Sequence, residues 1–147
     1  MVKNLKVNYS RNIELDKKIV HNLISFLKKE LKFDVSSLII NFISSNLITK
    51  INIQYLGHQY STDIITFNYS GSHQFLDGEL FISFEDAAVN AAKYSAPLRE
   101  EYIRLIIHGI LHLLDYDDQN KNAKLVMKRL ENKMLKSYKI DYLRQRN

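Results

Sequence analysis

The chain has 147 residues, no cysteine and a net charge of +5, with 46% hydrophobic and 25% charged residues. Those values fit one domain with a sizeable core and exclude disulfides and thiolate metal sites. No apolar run approaches a membrane span and the N-terminus has no long apolar targeting segment, so the expectation is a cytoplasmic protein without a membrane partner.

In chain order, residues 2–9 alternate loosely and predict a strand. Over 15–31, Leu15, Ile19, Leu23, Phe26, Leu27 and Leu31 fall at helical spacing, with lysines on the other side. Residues 36–44 are short, apolar and β-branched, and predict a second strand. Residues 45–56 fit either a strand, by their β-branched content, or a short helix behind a serine cap. The stripe of Leu47, Ile48, Ile51, Tyr55 and Leu56 predicts the helix.

Residues 63–69 and 78–84 predict two more strands, joined as a hairpin across 70–77. Residues 85–94 predict a helix with acids in its first turn. Pro97 suits the first turn of the next helix, which runs through Leu114 and is apolar on nearly all sides from Leu105 onward, as a buried helix is. A last amphipathic helix is predicted over 119–137. The sum is a single α/β (α+β) domain over 1–147 with four strands and about five helices. Residues 119–147 carry nine Lys/Arg against two acids, so the whole basic excess lies in the C-terminal helix and tail. That suits a polyanion such as RNA, or simply a solvated helix.

Within the buried helix, His108 and His112 stand four residues apart, on one face and one turn from each other. Asp115, Tyr116 and Asp117 form a plausible turn, since Asp tolerates left-handed backbone. The turn would bring Asp118 back beneath the histidines. His108, His112 and Asp118 are therefore the candidate metal ligands, a set that zinc accepts with one position left open. Alternatively the histidines are core residues hydrogen-bonded to Asp117 and Asp118. The His-x3-His-x5-ligand spacing is zincin- or metzincin-like, but a peptidase carries a general-base glutamate where this chain has Gly109.

The stretch His108-Gly-Ile-Leu-His112-Leu-Leu-Asp-Tyr-Asp-Asp118 resembles the signature of the YbeY family of bacterial endoribonucleases, His-Gly-x-Leu-His-Leu-x-Gly-Tyr-Asp-His. Residues 61–67 (Ser-Thr-Asp-Ile-Ile-Thr-Phe) are similar to that family's Pro-Thr-Asp-Val-Leu-Ser-Phe, residues 77–83 resemble its Gly-Asp-Ile strand, and Met127 and Glu131 follow at its spacing. The resemblance implies a small mixed sheet and one zinc ion, or another divalent metal, on the three signature side chains. It implies metal-dependent endonucleolytic cleavage of single-stranded RNA. The implied roles are 3′-end maturation of small-subunit ribosomal RNA and ribosome quality control, with ribosomal RNA or the small subunit as partner.

Three positions depart from the pattern. Asp118 stands for the usual third histidine and makes the site one charge more negative. Asp115 stands for the signature glycine. Leu56 stands for an arginine that would be a natural phosphate clamp. His58 either substitutes for that arginine or is a surface residue. Thr62 and Asp63 either line the cleft or form the turn leading into a strand, and Met127 either underlies the metal or is core. Tyr55, Tyr60, Tyr69 and Tyr94 either stack on bases or pack. No catalytic side chain beyond the metal ligands is assigned. A non-catalytic RNA-binding or ribosome assembly factor with a structural metal is the alternative, and a metallopeptidase a remote one.

Overall fold

The computed structural model describes residues 1–57 and 62–146. His58, Tyr60 and Ser61 lie outside the described residues. Strand β1 (Leu5–Tyr9) is followed by α1 (Lys17–Leu31), β2 (Asp34–Ile43) and α2 (Ser45–Ile51), which continues as a π-helical turn, Asn52–Leu56. Then come β3 (Ile64–Asn68), β4 (Phe75–Ser83), α3 (Phe84–Lys93), α4 (Leu98–Leu113) and α5 (Lys121–Arg146). The sheet order is β1-β2-β4-β3, parallel except for the β3–β4 hairpin, so the sheet is mixed and four-stranded as expected.

Local chemistry explains most boundaries. Asp16 caps α1, its carboxylate accepting from the Lys18 N–H. Ser44 caps α2, its hydroxyl accepting from the Leu47 N–H. The choice of a helix after β2 therefore holds, but its stripe does not. Ile48 and Ile51 pack under the sheet, whereas Leu47, Tyr55 and Leu56 are exposed.

Four boundaries differ most from expectation. β1 starts at Leu5 because Asn4 adopts a left-handed turn, φ 64°. β4 starts at Phe75, and β2 at Asp34, because those two residues pair. The hairpin loop is correspondingly shorter. α5 runs to Arg146 because its apolar stripe does not stop at Leu135. Tyr138 is buried, its hydroxyl donating to Asn22 Oδ1 at 2.9 Å, and Tyr142 packs against the core.

Helix α4 lies against the sheet with Ile106, Ile107, Ile110 and Leu111 wholly buried. Two glycines allow that approach. A Cβ on Gly109 would meet Leu80 Cδ1 at 2.8 Å and Ile64 Cδ1 at 2.9 Å, and one on Gly78 would meet Phe67 O at 2.8 Å and Leu113 Cδ2 at 2.9 Å. The face of α4 that carries Gly109 is thus pressed onto β3 and β4 and has no room for a glutamate. His108 and His112 flank that contact and remain partly exposed. Among the described residues no helix is long and apolar enough to cross a membrane.

Candidate metal centre

The end of α4 sets the site. Tyr116 N–H donates to Leu111 O and Asp115 N–H to His112 O, both at 3.0 Å, the two bonds of a Schellman motif. Asp115 takes the left-handed position that the motif requires, φ 74°. The chain reverses there, and Asp118 returns toward the helix face it has just left. One donor atom from each of His108, His112 and Asp118 then lies within 4.8 Å of the others.

The two imidazoles face each other edge to face, with Nε2 to Nε2 at 3.1 Å. Two lone pairs at that separation repel unless a proton or a cation lies between them. A tetrahedral set with Zn–N bonds of ~2.0–2.1 Å has an N···N edge of roughly 3.3 Å. The donor set and its spacing therefore fit a metal ion. Asp118 is the exposed member, and its anionic oxygen offsets a divalent charge that neutral imidazoles leave uncompensated.

Behind His108 stands Glu131 of α5. It accepts from His108 Nδ1 at 2.8 Å through one oxygen and from Arg104 Nη1 at 2.8 Å through the other. Donation from Nδ1 leaves the His108 Nε2 lone pair facing His112, the carboxylate–histidine arrangement of many metal sites. Burial lowers the His108 pKa, but the Glu131 hydrogen bond and charge, with Asp118 and Asp63, outweigh it and the net shift is upward. His112 moves the other way, because burial and the neighbouring His108 both disfavour its charged form. The alternative of core histidines bonded to Asp117 and Asp118 is not what is found, since the His108 partner is Glu131.

The polar chain continues past Arg104. Arg104 Nε lies 3.5 Å from Glu101 Oε1, and Asn90 Nδ2 donates to Asp63 Oδ2 at 3.0 Å and Glu101 Oε2 at 3.4 Å. Burial pushes the Glu101 carboxyl up despite Arg104. Among the described residues no buried side-chain nitrogen or oxygen lacks a partner. These groups line a cleft of about 450 Å³ beside His108 and Asp118, closed on the α5 side by Lys124, Met127 and Lys128.

Asp63 does both things considered for it. Its carbonyl accepts from Ser83 N–H at the start of β3, and its side chain lines the cleft, whereas Thr62 does not. Met127 is buried core and cleft wall at once. Tyr94 lines the cleft, but Tyr55 and Tyr69 pack with Phe67 and do not. Leu56 is 49% exposed and lies outside the cleft. Sequence reasoning assigned no role to Glu131, Glu101 or Arg104. The signal was there: Glu131 stands between Met127 and Met134 on the buried stripe of α5, where a lone carboxylate requires a partner.

Comparison with known proteins agrees with this architecture. A family model described as Endoribonuclease YbeY matches residues 3–139. A Bacteroides fragilis Endoribonuclease YbeY is 45% identical over 94 residues, 64% of this chain and 67% of the relative. One from Chlorobium phaeobacteroides is 32% identical over 138 residues, 94% of this chain and 96% of the relative. A Thermotoga maritima protein solved in solution has a similar fold, with a TM-score of 0.62 at 22% identity and 93% of both chains covered. With a family model spanning nearly the whole sequence and a relative aligned end to end, the chain belongs to the Endoribonuclease YbeY family.

Proposed function

We propose that this protein is a zinc-dependent, single-strand-specific endoribonuclease, with the ion held by His108, His112 and Asp118. Residues 1–147 act as one metal-dependent hydrolase domain, with α5 as its basic RNA-facing helix. The observation that carries the reading is the convergence of three donor side chains within 4.8 Å of one another beside a cleft that His108 and Asp118 line, with Glu131 holding the ring of His108. The family resemblance supports 3′-end maturation of small-subunit ribosomal RNA and ribosome quality control in the cytoplasm, on free ribosomal RNA or the small subunit.

When bound, the ion supplies a nucleophile at neutral pH and charge stabilisation for a phosphoryl oxygen. The protein's own groups do the rest. Glu131 holds the His108 ring, and the left-handed Asp115 turn aims Asp118. Lys124 and Lys128 attract the RNA backbone. Gly109 removes the side chain on which a peptidase would rely, and any side chain there would have to displace Leu80 or Ile64.

The test is cleavage of a short single-stranded RNA by the zinc-loaded protein and by His112→Ala, with zinc content measured on both. The expected result is one zinc per chain and turnover in the parent, and loss of both in the variant. Cleavage at the parent's rate by folded, zinc-free His112→Ala would refute the mechanism. RNA binding without turnover under any divalent metal would make the protein a binding factor instead.

A further inference from the structure

The geometry points to Arg104 as a phosphate-positioning residue of the cleft, one helical turn from the metal centre. This rests on the endoribonuclease reading above. Arg104, His108 and His112 stand at i, i+4 and i+8 on one stripe of α4. The two oxygens of Glu131 tie the first two together, Oε1 to Arg104 Nη1 and Oε2 to His108 Nδ1, each at 2.8 Å. One carboxylate therefore fixes a guanidinium relative to a metal ligand. Glu101 restrains it from the other side, 3.5 Å from Nε, and both acids are almost wholly buried.

Those contacts engage Nε and Nη1. Nη2, with two N–H donors, has no protein partner among the described residues. The Arg104 side chain is 36% exposed, and it is exposed into the cleft. Neutralising two buried acids accounts for a cation here. It does not account for the two donors of Nη2 left without a protein partner among the described residues and exposed into the cleft. Lys124 and Lys128 line the same cleft and form no ion pair among the described residues. A guanidinium fixed through Nε and Nη1, with Nη2 free and two lysines lining the same cleft, suits a phosphodiester oxygen, which accepts a charge-assisted hydrogen bond from Nη2. Leu56, at the position where the family signature carries arginine, lies outside this cleft.

The test uses a short fluorescent single-stranded RNA, the full chain in chelator-stripped and zinc-loaded forms, and the variants Arg104→Lys and Arg104→Gln. Lys29→Gln, an exposed change on α1, is the control. In the metal-free form, Arg104→Gln is expected to weaken RNA binding roughly ten- to a hundredfold, the size of one charge-assisted hydrogen bond. It also lowers the salt dependence of binding by about one phosphate contact. Arg104→Lys keeps zinc, thermal stability and the salt slope, yet loses affinity and kcat/KM, because a single ammonium cannot hold Glu131 and Glu101 and also donate from the position of Nη2. Lys29→Gln matches the parent.

Arg104→Lys that binds and cleaves as the parent does would overturn the assignment, whether or not Arg104→Gln folds. So would an Arg104→Gln defect confined to lost zinc. A parent that binds RNA through Arg104 but never cleaves it would leave this assignment standing and remove the endoribonuclease reading.

Discussion

Asp115 holds a left-handed backbone, φ 74°, at a cost on the order of 1–2 kcal/mol for a residue with a Cβ. Its one ion pair among the described residues, 3.9 Å to His73, is exposed on both sides and contributes little. Asp115→Gly relieves the strain but gives back part of it as unfolded-chain entropy. The expected outcome is stabilisation by roughly 0.5–1 kcal/mol in denaturant unfolding, with zinc affinity unchanged. Destabilisation would mean that the carboxylate, not the backbone, makes the turn. Glu131 gives the opposite expectation. Glu131→Gln keeps an acceptor for one partner but not charged acceptors for both His108 and Arg104. Zinc affinity measured against a competing chelator should fall about ten- to a hundredfold. An unchanged affinity would remove Glu131 from the metal centre.

At the scale of elements, the site depends on how closely α4 approaches the sheet. Gly109 is the contact point, and a methyl group there must displace Leu80 or Ile64, both packed within 2.9 Å. Gly109→Ala should cost about 1–3 kcal/mol by overpacking and shift the histidine-bearing turn away from Asp118. Thermal unfolding and zinc titration check the two effects together, and a variant with parental values in both would show that the helix has slack. The same helix was the most legible element in the sequence, because its apolar run and paired histidines leave few alternatives. The turn after it was legible too, since two aspartates flanking Tyr116 favour a reversal. Residues 45–56 were harder: β-branched side chains argued for a strand, and the serine cap decided for a helix whose exposed face carries Leu47, Tyr55 and Leu56. Propensity gives way there to capping and to the packing of Ile48 and Ile51 under the sheet.

For the whole molecule, strand count, helix count and the β3–β4 hairpin followed from periodicity, but strand order did not. Nothing local in β2 says that it pairs with β1 on one side and β4 on the other. The same limit applied to the site. Spacing within 108–118 exposed three donors, all close in sequence. Glu131, 23 residues beyond His108, meets it only because α5 folds back along α4. Arg104 gains its setting from the same return. Long-range polar partners of this kind leave a weak trace, an acid on an apolar stripe, that acquires meaning once the fold is known.

His108, His112 and Asp118 are proposed to share one ion, and anomalous diffraction at the zinc edge from crystals of the zinc-loaded chain tests that most directly. The predicted result is a single strong peak ~2.0–2.2 Å from His108 Nε2, His112 Nε2 and an Asp118 carboxylate oxygen. A peak that leaves either histidine unbound, or zinc seated elsewhere on the chain, would contradict it.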